Sequence, residues 1–299
     1  MKLPRFLSPL TAWTLLFLPM VGGFSRIEAA NSALAFDGVD DGVTFGLAPG
    51  LGSQTFTIET WFKRDGVGTS TFTGRVTAIP LVSKGRGETD GDARDLNYFL
   101  GIRTWDGVLI ADFEEGATGP RPGRNHAIAG KTRIQYGVWY HAAATYDGTK
   151  WRLYLNDQLE AQKSVGQPPR NDSIQPAALG TALDSCGMPA GFFQGVLDEV
   201  RIWNYARTAQ ELAENLDVEI TMAPGLLGRW GLNEGSGTIA GDSSGNGVTG
   251  AMIDEPAWAP GFQEARIPTI SRGPYLQSGT STSVIVRWRT DTSVRGRVC

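Results

Sequence analysis

The chain has 299 residues, 41% of them hydrophobic and 10% aromatic, enough apolar side chain to bury a substantial core and too much for a disordered polymer. Its 27 basic and 31 acidic residues leave a net charge of −4, which provides no overall field for gripping nucleic acid or an anionic membrane. Two cysteines, Cys186 in a Gly/Pro-rich loop and Cys299 at the end, have no His beside them in sequence, so no reactive-thiol chemistry is indicated.

Residues 1–25 read as a secretory signal. Lys2 and Arg5 form a basic start, the apolar run from Leu10 to Val21 is short for a bilayer, and small residues follow at Gly22, Gly23 and Ser25. Cleavage is expected after Ser25, with Ala30 as the alternative, leaving a secreted, extracellular chain without a membrane anchor.

Period-two patterning then predicts strands at 32–36, 55–64, 97–102, 107–114, 138–147, 150–157, 195–203 and 226–234. DG pairs at 65–66, 106–107 and 147–148 and NG at 246–247 mark turns. The one helix expected covers 208–216, with Thr208 as N-cap and Glu211 completing a capping box. Many strands and one short helix predict an all-β fold, an antiparallel two-sheet jelly-roll sandwich. Near the end, Val284, Val286 and Trp288 alternate with Ile285, Arg287 and Arg289. That strand has little chain after it to pair with, and an isolated strand is marginal in water. It is expected to open a second domain cut short at Cys299.

The segments FDGVDDGV, FTIETWFKR, LVSKG, WYHAAATYDGTKWRLYLND and FFQGVLDEVRIWNYARTAQEL together resemble, in order, the laminin G-like, concanavalin A-like jelly-roll modules of secreted proteins. The resemblance covers a domain at 31–265. RGPYLQSGTSTSVIVRWRTD resembles the start of the fibronectin-like domain that precedes the catalytic domain of purple acid phosphatases, here 269–299. The resemblance implies a secreted, non-catalytic binding or spacer module for a carbohydrate or protein ligand, continuing into further domains. The alternative is the N-terminal part of a secreted metal-dependent acid phosphatase whose catalytic domain lies beyond residue 299.

No catalytic residues are assigned. A binuclear metal centre needs several His ligands, and the chain has only His126 and His141, read as a surface-loop residue and a hydrogen-bonded strand residue. Asp112 and Glu114 have the two-residue spacing that places carboxylates on one strand face, as a retaining glycosidase requires, but the E-x-D-x-x-E strand motif of the fold's glucanases is absent; they are read as a solvated strand end. Trp61, Trp151, Trp203 and Trp230 sit in patterned strands and are expected in the core. Trp105, in the TWDG turn, is the candidate for an exposed ring that stacks on a ligand.

Alternation in GVLDEVRIW places Asp198 with Val196, Val200 and Ile202 on one apolar face. A bare carboxylate there is costly, so a cation, an arginine such as Arg229, or a set of backbone donors must meet it. In laminin G-like modules the first strand commonly lies beside the one matching GVLDEVRIW. The resemblance thus implies a structural calcium shared by Asp198 with Asp37 and Asp40, the neighbouring Asp41 lying in the same turn; oxygen ligands of this kind suit that ion. DSSGNG from Asp242 begins like a calcium loop but has Ile253 at the closing position, and is read as a turn.

Overall fold

The computed structural model describes residues 31–89, 91–262, 270–277 and 285–290, the last two stretches as backbone alone. The signal at 1–25 and Cys299 lie outside the described residues.

Two large antiparallel sheets form a jelly-roll sandwich. The first runs, in spatial order, through Gln158–Ser164, Lys150–Leu155, Trp139–Tyr146, Phe56–Arg64, Gln194–Trp203, Ser32–Asp37 and Ala257–Pro260, with Leu226–Trp230 also on Gln194–Trp203. The second runs through Ile239–Ala240, Gly250–Ile253, Gly42–Thr44, Ala177–Leu179, Thr77–Lys84, Tyr98–Arg103, Val108–Asp112 and Ile128–Arg133. Every strand expected from patterning is present.

The core lies between the sheets because alternate residues of each strand face inward. Phe56, Ile58 and Phe62 do so from one strand. Phe56 meets Trp151 edge-on at 5.5 Å, and Phe113 lies 4.7 Å from Tyr146. Rings of this size contribute roughly 2–3 kcal/mol each when fully buried. The tryptophans expected inside are buried.

Both sheets are also covered on their outer faces. Segment 204–220 crosses the first, carrying the helix Ala209–Glu214 with Thr208 as N-cap and the capping box to Glu211 in place. Leu212 packs there on Ala143 and Tyr154. The hairpin Thr181–Leu183 and Pro189–Phe192 covers the second sheet, where Ala182 joins Ala78, Leu96, Phe99 and Ile110. Double coverage explains why Thr77–Lys84, buried at nearly every residue, lacks the alternation that marks a strand with one wet face.

One expectation is corrected. Asp198 does not share the core face. It pairs with Trp61 while Arg201 pairs with Glu59, three steps on one strand against two on the other, with Glu199 left-handed at φ 49. Such a bulge inverts the phase of the strand. Leu197 points to the core before it, Val200 and Ile202 after it, and Asp198 points outward beside Trp61. The strand expected near the end is present as Ile285–Thr290 and pairs antiparallel with the preceding Ile270–Gln277, Leu276 opposite Val286.

Candidate functional site

Four turns meet at one end of the sandwich. Asp37 is opposite Gln194, whose carbonyl accepts from the Asp65 and Gly66 amides. Thr69 Oγ1 donates to the Gly38 carbonyl at 2.8 Å. On the other side the Gly137 amide donates to the Arg64 carbonyl, and the Ile134 amide to that of Gly107. A Cβ on Gly38, at φ 83, would stand 2.7 Å from the Gln194 Cβ, so only glycine allows this approach.

Trp105 sits on the turn between Tyr98–Arg103 and Val108–Asp112 at this end, and is 75% exposed. The Arg103 guanidinium lies 4.3 Å from its ring centroid and is itself fixed on Asp106, Nε to Oδ1 at 2.9 Å and Nη2 to Oδ2 at 2.5 Å. These hydrogen bonds hold the Asp106 carboxyl below the usual carboxylate range. An indole backed by a clamped cation presents a flat apolar face at little ordering cost. Arg64 reaches the same end from the first sheet and stacks its guanidinium 4.9 Å from the exposed Tyr136 ring.

Of the expected metal ligands, Asp37 and Asp40 come together with Asp41, one oxygen of each within 4.8 Å of the others. Asp41 Oδ2 accepts from the Asp37 amide at 2.9 Å. Burial, then the charges of Asp37, Asp40 and Asp254, push the Asp41 carboxyl up against that bond.

Asp198 is elsewhere, four residues along the strand from Gln194 and so about 13 Å away at the usual rise. It meets neither that turn nor Arg229. Oδ2 accepts from the Phe262 amide at 2.7 Å and Asn31 Nδ2 at 3.2 Å, while Oδ1 is buried without a hydrogen-bond partner among the described residues. Burial foremost lifts its pKa to about 7. Arg229 instead pairs with Glu199. Phe262 stacks on Trp61 at 3.5 Å, forming one wall of a 480 Å³ cleft that Arg201 and Glu199 also line.

Beside it lies a buried ion cluster that patterning did not reveal. Glu59 accepts from Trp203 Nε1 and Arg207 Nη1, each at 2.7 Å, with His141 Nε2 at 3.5 Å and Arg201 Nη1 at 3.9 Å. Burial alone would raise the Glu59 pKa, but the His141 hydrogen bond and the Arg201, His141 and Arg207 charges bring it to about 2.

Asp112 and Glu114 are buried, not a solvated strand end, and each has a separate partner: Asp112 Oδ2 accepts from Thr73 Oγ1 at 2.7 Å, and Glu114 Oε1 from Arg170 Nε at 3.0 Å. His126 is buried too, not on the surface, and its Nε2 lies 3.1 Å from Glu115 Oε2. Asp242 takes the Arg229, Ser244 and Val248 amides, folding DSSGNG as the turn expected.

Among proteins of known sequence, mouse pappalysin-1 is 25% identical over 209 residues, 65% of this chain but 12% of that protein. A solved Bacteroides ovatus protein, described as proposed to bind carbohydrate, superposes with a TM-score of 0.53 at 19% identity, covering 77% of this chain and 62% of its own. The CBM40 domain of a Ruminococcus gnavus sialidase gives a TM-score of 0.47 at 16% identity, over 61% of this chain and 95% of that one. The model of the laminin G-like family described as the concanavalin A-like lectin/glucanases superfamily matches residues 37–213. With more than half of its length matched and the two-sheet jelly roll in place, the chain belongs to that family.

Proposed function

We propose that this chain is a non-catalytic binding module of a larger secreted protein, meeting a carbohydrate or protein ligand at the loop end around Trp105. The clamped, 75% exposed indole carries the reading. Lectins are part of the family, and the Bacteroides ovatus neighbour is described as proposed to bind carbohydrate; both support a glycan as the first ligand to test. A glycan array probed with the purified chain makes that test. Trp105→Ala is expected to weaken a captured glycan about tenfold, since ring stacking contributes roughly 1–1.5 kcal/mol, and to leave the melting temperature unchanged. Equal capture by wild type and variant would remove Trp105 from the site.

The calcium expectation becomes a proposal confined to Asp37, Asp40 and Asp41, without Asp198. A divalent cation there would offset the burial of the Asp41 carboxyl and the neighbouring charges that together raise it. Chelation is expected to lower the melting temperature by several degrees, and Asp41→Asn to abolish that sensitivity. A melt indifferent to chelator and to added calcium, with Asp41→Asn more stable than wild type, would leave the turn as plain carboxylate crowding.

A further inference from the structure

The same loop end holds positive charge that no carboxylate among the described residues neutralises. Arg64 is only 7% exposed and points between the sheets, where Nε donates to the Gly66 carbonyl at 2.9 Å and Nη2 to that of Val67 at 3.3 Å. Its Nη1 has no partner among the described residues and is not sealed from solvent. Across Gly107 stands Arg133: a Cβ on Gly107 would lie 3.5 Å from Arg64 Nη1 and 3.6 Å from Arg133 Nε. Neither arginine has a carboxylate within ion-pair distance among the described residues. The nearby acids are engaged elsewhere, Asp65 with Lys63 and Asp106 with Arg103, and the Asp37–Asp41 turn lies across the loop 65–69, which Thr69 ties to Gly38.

These distances leave Arg64 Nη1 and Arg133 Nε no more than about 7 Å apart, and the Arg133 charge adds to burial in disfavouring the charged form of Arg64. In a chain of net charge −4, an arginine pair without a carboxylate beside an exposed indole is a place where an anion would be favoured. Guanidinium groups bind carboxylate or sulfate oxygens through directed, charge-assisted hydrogen bonds. The Trp105 turn is continuous with Gly107, so a sugar ring on the indole and an acidic group at the pair belong to one ligand.

We infer that the loop end is built for a glycan carrying an anionic group, its acid held by Arg64 and Arg133 while a neighbouring ring lies on Trp105. This rests on the reading that Trp105 belongs to the ligand surface, and it names the ligand class. Carboxylate and sulfate share the chemistry and are separated by experiment.

Calorimetric titration of the full chain would use four probes: a neutral gluco-oligosaccharide, an oligogalacturonate, a sulfated galacto-oligosaccharide and a poly-glutamate peptide. One acidic oligosaccharide is expected to bind at least tenfold more tightly than the neutral one. That preference should shrink with added salt, be lost in Arg133→Gln, and be largely kept in Arg133→Lys. Arg133 is exposed, so the fold should tolerate both changes. Trp105→Ala should weaken acidic and neutral sugars alike. Neutral and acidic sugars binding equally, with Arg133→Gln silent, would overturn the inference and spare the binding reading. Silence of every glycan would overturn both. Poly-glutamate binding that needs Arg133 but not Trp105 would replace the glycan with an acidic protein.

Discussion

Glu59→Gln is expected to lower the melting temperature by roughly 6–20 °C, the largest effect of a single substitution proposed for this chain. Glu59 lies on the outer face of the first sheet, sealed beneath segment 204–220, and is the carboxylate on which Arg207, Arg201 and His141 converge. Removing its charge leaves Arg207 buried without a carboxylate partner among the described residues. Arg201 retains Glu199 at 3.1 Å and the carbonyls of Asn215 and Val218. Arg207 retains the Glu211 carbonyl at 2.9 Å but no carboxylate among the described residues. Breaking a buried ion pair on one side costs about 3–5 kcal/mol, and a domain of this size melts about 2–4 °C lower for each kcal/mol lost. Because the cluster ties segment 204–220 down, proteolytic cleavage within that segment should rise in parallel. Glu59→Gln combined with Arg207→Met should recover part of the loss, as it removes the orphaned charge as well. A shift below about 1 kcal/mol in urea unfolding would mean that water reaches the cluster and screens it.

The strands, the capped helix, the buried tryptophans and the exposed Trp105 were legible because each depends on local pattern: alternation, turn chemistry, a box of residues three apart. The Asp198 error shows where local pattern fails. No glycine or proline marks the bulge; Glu199 takes a left-handed conformation that its sequence does not announce, its side chain satisfied by Arg201 and Arg229 from later in the chain. Across the slip, residues two apart no longer share a face, so Val200 and Ile202 reach the core while Asp198 does not. His126 was misread for a related reason, since its burial depends on how the loop containing Glu115 folds over it. The Thr77–Lys84 strand was masked by coverage on both faces, and the arginine pair is a juxtaposition of strand ends in different sheets, visible only when the sandwich closes.

Three buried carboxylates make the second large prediction, a fold that gains stability as pH falls from about 8 to about 5. Asp112 is lifted to about 7 by burial, against the Thr73 hydrogen bond. Asp198 reaches about 7, again chiefly by burial. Glu114 reaches about 7 through burial and the Asp95 charge, with Arg170 opposing. A group whose folded pKa exceeds its unfolded one holds its proton more tightly when folded, so its favourable contribution is complete below the unfolded value near 4 and is lost as pH rises through 7. Each full unit of such a shift corresponds to about 1.4 kcal/mol; with discounting for partial solvation, the three together should add roughly 2–4 kcal/mol between pH 8 and pH 5. His126 acts in the other direction. Burial lowers its pKa beneath 6.5, so the unfolded chain takes up its proton first and stability is drawn down below that pH. One imidazole trims the rise from three carboxylates without reversing it. Further acidification brings Glu59 into play: its folded pKa near 2 lies below the unfolded value, so its contribution is present above about pH 4.5 and disappears as pH falls toward 2. Stability should therefore peak near pH 5. Lys84, whose burial against the Leu47 and Gln175 carbonyls lowers it to about 8, binds its proton less tightly when folded. Its penalty eases only above pH 8, outside this window. Urea unfolding across the range measures the slope, and Asp112→Asn isolates one contributor: the variant should be more stable than wild type at pH 8, by about 1–3 kcal/mol, and the two should converge toward pH 5. If wild type instead loses stability steadily from pH 8 to pH 5, or the two proteins run parallel, these carboxyls are solvated and ionised in the folded protein, and the sealed outer faces described for both sheets are open to water.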